Sequence, residues 1–192
     1  MTEARPNRYG VTMATMTIEL PSQAEQTEFN LRRWAELLTD RELAKIEGRI
    51  ETDRHGHIIM SPPSAPTNGS FQSRIAHLLQ VHLPNGRTLT ECPISTMDGV
   101  KAADVAWATP ECMRELGNRV CFARSPEICV EVLSPSNTAA EIHEKMELYF
   151  HAGAREVWVR GLFGAMSFFG PGRSPLDRSE LCSAFPTQIE LR

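Results

Sequence analysis

The chain has 192 residues, 41% hydrophobic and 23% charged, with a formal net charge of −4. That composition describes one globular domain large enough to bury a core, and it excludes fibrous or disordered polymers. It also excludes a protein that holds nucleic acid by a global basic field, leaving only a local basic groove for such a partner.

Residues 1–27 are Thr-, Met- and Gln-rich with little periodicity and are expected to be a flexible leader, with a single domain over 28–192. Glu28 to Leu38 carries Phe29, Leu31, Trp34, Leu37 and Leu38, the pattern of a short helix. Thr39, with Glu42 three residues on, predicts a capped second helix ending near Gly48. Residues 49–53 and 57–61 predict two strands of a hairpin around Arg54-His55-Gly56. The Pro62 to Pro66 run is a loop, and Thr67 to His82 is helical, with Phe71, Ile75, Leu78 and Leu79 on one side. Residues 87–96 read as a strand interrupted at Pro93, and Asp98-Gly99 turns the chain into a strand over 101–108. Pro110 to Leu116 is a short helix, and a strand over 128–133 follows. A helix from Asn137 or Thr138 to about Ala152 then ends at Gly153. Residues 155–160 and 165–169 form a last hairpin, and Gln188 to Arg192 is read as an edge strand. This order of elements predicts a mixed β-sheet with flanking helices, an α/β or α+β sandwich.

No apolar run approaches the roughly 18 residues of a membrane span, and the N-terminus lacks a signal-peptide h-region, so no membrane partner is expected. The five cysteines, Cys92, Cys112, Cys121, Cys129 and Cys182, are scattered without a C-x-x-C pair. They read as reduced, buried thiols of a cytoplasmic protein, not as a disulfide frame or zinc site. His55 and His57 flank a turn glycine with no third ligand nearby and read as surface residues, while Trp107 and Trp158 read as core.

Two acids stand alone inside apolar strands. Glu131 interrupts Ile128-Cys-Val-Glu-Val-Leu133, and Asp104 interrupts Ala102-Ala-Asp-Val-Ala-Trp107. A carboxylate buried there needs a cation, a proton or a set of donors. An Arg or Lys that neutralises it structurally, or an edge position facing water, is the plain alternative. Asp104 shares its period-two face with Ala102, Ala106 and Ala108, which leaves room for a ligand. A shared hard divalent cation, Mg²⁺ or Mn²⁺, is the economical partner, with the carbonyl of Val132 as a third oxygen. Glu51 is a further candidate acid, alternating with Arg49 and Asp53 along its strand; an exposed strand-face charge is its plain reading. Lys145 borders the Ile142, Met146, Tyr149, Phe150 stripe of its helix. It either snorkels outward with Glu141 or reaches the acids. Two carboxylates, a carbonyl, a divalent ion and an ammonium suit phosphodiester hydrolysis.

These residues also carry a family likeness. The segments are Arg49-Ile-Glu51-Thr-Asp-Arg-His-Gly56 with Ile59-Met-Ser-Pro-Pro63, Ala103-Asp104-Val-Ala-Trp107, and Glu127-Ile-Cys-Val-Glu131-Val-Leu-Ser-Pro-Ser-Asn137. With them go Glu144-Lys145 and Tyr149-Phe-x-Ala-Gly153-Ala-x-Glu-Val-Trp158. Together they resemble the Uma-two (Uma2) family of bacterial endonucleases, in the PD-(D/E)XK restriction-endonuclease-like superfamily. The likeness spans roughly residues 30–169. It implies a restriction-endonuclease-like α/β core and Mg²⁺-dependent cleavage of nucleic acid, with a DNA endonuclease as the leading reading. It assigns Glu51 as a helper acid, Asp104 and Glu131 as metal ligands, and Lys145 as the catalytic lysine. In the superfamily's usual pattern that lysine stands two residues after the second acid, where this chain has Leu133; the family's lysine has migrated to the following helix. One position departs, Asn68, where family members often carry a His. The superfamily often works as dimers, so the resemblance implies a homodimer as well.

Two other function classes compete with the nuclease. One is a catalytically idle nucleic-acid- or protein-binding module that keeps the fold, which the acidic balance and the lack of a basic run favour. The other is a hydrolase of a small phosphate ester, which needs a closed pocket. For a nuclease, Arg32, Arg33, Lys45, Arg74, Arg87 and Lys101 are the candidate phosphate contacts.

Overall fold

The structure, a computed structural model, describes residues 20–63 and 65–190. It is a six-stranded mixed sheet with a separate two-stranded hairpin and four helices. The first helix, α1 (Gln23–Thr39), precedes the hairpin strands β1 (Arg49–Thr52) and β2 (Ile58–Ser61). Helix α2 (Pro66–His82) leads into β3 (Arg87–Thr96) and β4 (Gly99–Ala108). Then come α3 (Pro110–Leu116), β5 (Ile128–Val132), α4 (Ala139–His151), β6 (Glu156–Arg160), β7 (Met166–Gly170) and β8 (Ser174–Leu176). The large sheet runs β3-β4-β5-β6-β7-β8; β5 and β6 are parallel and every other neighbour is antiparallel.

The parallel pair is joined by α4, as a parallel crossover requires. With α4 on one face and α2 on the other, both faces of the central strands are covered, which explains why β4, β5 and β6 are buried throughout. On one face Ala106, Cys129 and Val157 lie in a row and pack with Ile142, Met146 and Tyr149 of α4. On the other, Val105, Val130 and Trp158 pack with Ile75 and Leu79 of α2 and with Phe185. The two tryptophans are core, and all five cysteines are buried and unpaired.

The leader's residues 1–19 lie outside the described residues, but residues 23–27 of that expected leader belong to α1. Ser22 and Glu25 form a reciprocal capping box that opens this helix. Its buried face includes Gln26 and Asn30, so hydrophobic periodicity alone starts the helix too late. Asn30 Nδ2 donates to Ser95 Oγ and to the carbonyls of Thr96 and Gly99, and Asn30 Oδ1 accepts from Gln26. This polar knot fastens α1 to the β3–β4 turn. There Gly99, at φ 82°, sits so close to the carbonyls of Thr52 and Asp53 that a Cβ would collide with them.

Three other expectations change. The second helix after Thr39 shrinks to a single 3₁₀ turn, Leu43–Lys45. Asp40 caps that turn, while the Thr39 hydroxyl turns back to the Glu36 carbonyl. The break in β3 falls at Glu91, whose φ is 49°, whereas Pro93 keeps its register opposite Ala102. The outer edge strand is β8, where Pro175 is tolerated because an edge residue need not donate to a ladder. Of the edge strand expected over Gln188 to Arg192, residues 191 and 192 lie outside the described residues, and Gln188 forms an isolated bridge with Ala165.

Asn30→Ala removes the donor shared by three acceptors and leaves the Gly99 carbonyl with the Thr96 hydroxyl as its remaining side-chain donor. It is expected to lower unfolding stability by about 2–4 kcal/mol in urea titrations. A loss below about 0.5 kcal/mol contradicts the role given to this knot.

Candidate active site

The site forms where the β4–β5 ladder ends. These strands pair at Trp107–Ile128, Ala106–Cys129 and Val105–Val130. One step further, where Asp104 would face Glu131, the pairing stops. There the Val132 N–H donates to Asp104 Oδ2 at 2.6 Å, so an amide at the ladder's end is given to a carboxylate. Asp104 Oδ1 accepts from Arg49 Nη1 at 2.6 Å and from Gln72 Nε2 at 3.1 Å. Elements β1, α2 and β5 thus converge on one acid of β4.

Glu131 and Glu51 share a second cation. The Tyr149 hydroxyl donates to Glu131 Oε1 at 2.7 Å, and Lys145 Nζ lies 3.6 Å from Glu131 Oε2. The same ammonium donates to Glu51 Oε1 at 2.8 Å, and the Ala102 N–H adds a bond of 3.0 Å to that oxygen. Glu141, the outward partner weighed for Lys145, instead closes a capping box with Thr138 at the start of α4. Lys145 and Tyr149 stand four residues apart on one helix face, so one turn of α4 serves both acids.

Side-chain exposure falls inward from a rim. Glu91 is 45% exposed, Arg49 17%, Asp104 7% and Glu131 5%. Glu91 reaches the rim because its backbone adopts the left-handed conformation uncommon for a non-glycine residue. Gln72 Nε2 donates to Glu91 Oε1 as well as to Asp104. Arg49 Nε and Nη2 lie 3.5 Å from Glu91 and Glu51 but make no hydrogen bond, although both nitrogens are buried.

The electrostatics follow from two buried carboxylates, Asp104 and Glu131, and the partly buried Glu51 facing two cations. Burial opposes the Lys145 charge, but Glu131 and Glu51 outweigh it and raise its pKa. Burial likewise opposes the Arg49 charge, and Glu131, Asp104 and Glu51 push its pKa up. For Glu51 burial is overcome by Lys145 and Arg49, which hold the carboxyl below its usual range. For Glu131 burial wins against Lys145, and its pKa rises from 4.5 to about 7. Burial and then Glu131 push the Tyr149 phenol well up, so it stays a donor.

The structure therefore brings Glu51, Asp104, Glu131 and Lys145 together, with Val132 beside them through its N–H. It adds Arg49, Gln72, Glu91 and Tyr149. Arg49 carries a sequence signal, since it shares the period-two face of β1 with Glu51. Gln72 stands three residues before Ile75 on the buried side of α2. Tyr149 looks like plain core from periodicity, and nothing in the sequence marks the backbone turn at Glu91.

Of the expected phosphate contacts, Lys101 is corrected to a structural role. It is buried, and its ammonium donates to the Thr52 carbonyl and Asp98. Lys45 pairs with Glu42, and Arg33 donates to the Gly56 carbonyl. Arg32, Arg74 and Arg87 are exposed. Arg74 lines a groove of about 1110 Å³ between α2 and the C-terminal segment, together with Ser70, Ser73, His77 and Gln188. Asn68 lies in the first turn of α2, and the His57 ring pairs with Asp53 at the surface.

The raised Glu131 pKa has a definite sign in stability. Between pH 4.5 and about 7 the folded chain keeps a proton that the unfolded chain releases. Stability from this group is present below pH 4.5 and is lost as pH rises through about 7. Glu131→Gln removes that dependence. In urea unfolding with a chelator present, the variant should gain on the wild type by on the order of 3 kcal/mol across this window. A difference independent of pH contradicts the burial of an ionising Glu131.

The chain matches the Uma2 family, described as "Putative restriction endonuclease", over residues 35–161. A solved structure described as a putative nuclease belonging to DUF820 from Anabaena variabilis ATCC 29413 is similar at a TM-score of 0.60 and 15% identity. The match covers 77% of this chain and 92% of that one. At that identity the likeness bears on architecture, and it agrees with the restriction-endonuclease-like sheet and helices expected from the sequence. No curated protein matches the chain. Among the described residues no helix is long and apolar enough to cross a membrane. The family match takes in about two thirds of the chain, including all four converging site residues, and the protein belongs to the Uma2 family, with a nuclease-like fold.

Proposed function

We propose that the protein is a metal-dependent DNA endonuclease that hydrolyses phosphodiester bonds at the Asp104–Glu131 site. The observation that carries this reading is the meeting of Glu51, Asp104, Glu131 and Lys145, from four separate elements, at the point where the ladder ends. The donor set fits a hard divalent ion. Every acidic donor is a carboxylate oxygen, and Glu51, Asp104 and Glu131 against Arg49 and Lys145 leave one negative charge in surplus when all are ionised. Among the described residues no three His, Cys, Asp or Glu side chains form a ready cage. Mg²⁺ does not require one, because it takes one or two carboxylates and keeps several waters.

Asp104 and Glu131 are the side chains that would hold Mg²⁺ or Mn²⁺, with the Val132 carbonyl as a third oxygen. In a strand a residue's N–H and C=O leave on the same side, so that carbonyl faces β4 as the N–H does. A bound ion of this kind lowers the pKa of water and offsets charge on a phosphate. The Val132 N–H and Gln72 fix the Asp104 carboxylate, and Tyr149 fixes that of Glu131. Lys145, kept as an ammonium by Glu131 and Glu51, serves as a donor where negative charge builds on the phosphate or attacking oxygen; its raised pKa suits it poorly to act as a base. Glu51 holds that ammonium in place. Entry from the Glu91 rim suits a polymer laid across the surface; Arg74 of α2 and Arg87, the first residue of β3, are exposed. Five buried, unpaired thiols suit a cytoplasmic setting.

A catalytically idle module is the second reading, and the Arg49–Asp104 ion pair is the observation that favours it. Calorimetry and plasmid nicking separate the two. The wild type should bind Mn²⁺ and nick; Asp104→Asn and Glu131→Gln should lose both. Lys145→Met should keep Mn²⁺ binding and lose at least about 100-fold in nicking rate. Nicking that survives all three substitutions sinks the proposal, and a wild type that binds Mn²⁺ without nicking any DNA favours the idle module.

A further inference from the structure

Arg49 has no part in the hydrolysis described above, yet it occupies the centre of the site. Its Nη1 lies 2.6 Å from Asp104 Oδ1, one of the oxygens assigned to the ion. Among the described residues, only Nη1 of its nitrogens is hydrogen bonded; Nε and Nη2 are buried without a hydrogen-bond partner. A guanidinium is built to satisfy several acceptors at once, so one that makes a single bond in a buried site is held by charge more than by fit. The carboxylate on its outer side is Glu91, with Oε2 3.5 Å from Nε, and that carboxylate is half exposed at the rim. Gln72 links Glu91 to Asp104 by donating to both.

We propose that Arg49 is a built-in counterion that holds the place of the divalent cation on Asp104 and gives way to it, moving outward to Glu91. This rests on the metal-dependent reading above. The physical basis is exclusion. A guanidinium and a divalent ion on one carboxylate oxygen repel each other, and Asp104 Oδ2 is already taken by the Val132 N–H. Without either cation, Asp104 would keep only the neutral donors Gln72 and the Val132 N–H, leaving beside Glu131 a buried carboxylate with no counterion of its own. Arg49 therefore keeps the metal-free protein folded and sets a threshold of ion concentration for loading the site. The strained backbone at Glu91 has a use in this arrangement, since it carries the receiving carboxylate to the rim.

The test compares Mn²⁺ affinity of the wild type and Arg49→Met by calorimetry, with melting curves in chelator and in Mn²⁺. The variant is expected to bind Mn²⁺ about tenfold more tightly or better, to melt lower than the wild type in chelator, and to recover with Mn²⁺. Equal or weaker Mn²⁺ binding by the variant overturns the inference and leaves the nuclease reading standing. Absence of Mn²⁺ binding in both proteins overturns the inference and the metal-dependent reading together. Should Arg49→Met fail to fold, side-chain nitrogen NMR of the wild type decides. The Arg49 Nη protons should give separate signals in chelator and merge when Mg²⁺ is added. Separate signals that persist with Mg²⁺ bound contradict the displacement.

Discussion

The structure depends on how it keeps Asp104 and Glu131 charged or protonated inside an apolar sheet. Both acids lie on central strands with hydrophobic residues above and below. An uncompensated charge there costs about 3–5 kcal/mol, a large share of a small domain's stability. Each neighbouring element answers that demand. The β1–β2 hairpin brings Arg49 and Glu51, α2 brings Gln72, and α4 brings Lys145 and Tyr149. The small residues of β4 allow the approach, and the end of the β4–β5 ladder frees an amide for Asp104. The hairpin is thus tied to the body of the protein through the site, as well as through Thr52, which accepts from the Val100 N–H and the Lys101 ammonium.

The site is also graded. The half-exposed Glu91 marks the way in, and the innermost acid, Glu131, is the one whose burial outweighs its partners. An arrangement with more negative than positive charge, several under-used donors and one strained residue is poorly optimised for stability alone. Such departures concentrate where a ligand completes the structure.

Much of this was legible because the acids violate their surroundings. A lone Asp in an alanine-rich strand and a lone Glu in Ile-Cys-Val-Glu-Val-Leu are errors under any packing rule, so they point to partners. Lys145 was legible from its place at the border of the α4 stripe, and Glu51 from the family likeness more than from its own strand. Arg49 is visible in the sequence, but alternation along a strand says which face a residue shares and not what it meets. The start of α1 escapes hydrophobic periodicity because its buried face uses Gln26 and Asn30. The capping signal at Ser22 and Glu25 was the clue that remained. The second helix failed for the opposite reason: Thr39 and Glu42 imitate a cap, while Asp40 makes the actual hydrogen bonds. The turn at Glu91 has no local signal, since nothing about a glutamate announces a positive φ.

Anomalous diffraction from crystals soaked in Mn²⁺ decides whether this acid cluster holds a divalent ion. One strong peak is expected, bonded to the Asp104 and Glu131 carboxylates, with the Arg49 guanidinium displaced toward Glu91. Crystals with no peak at these residues, and with Arg49 still paired to Asp104 at saturating Mn²⁺, would contradict a divalent-ion site and leave the cluster as a structural ion-pair network.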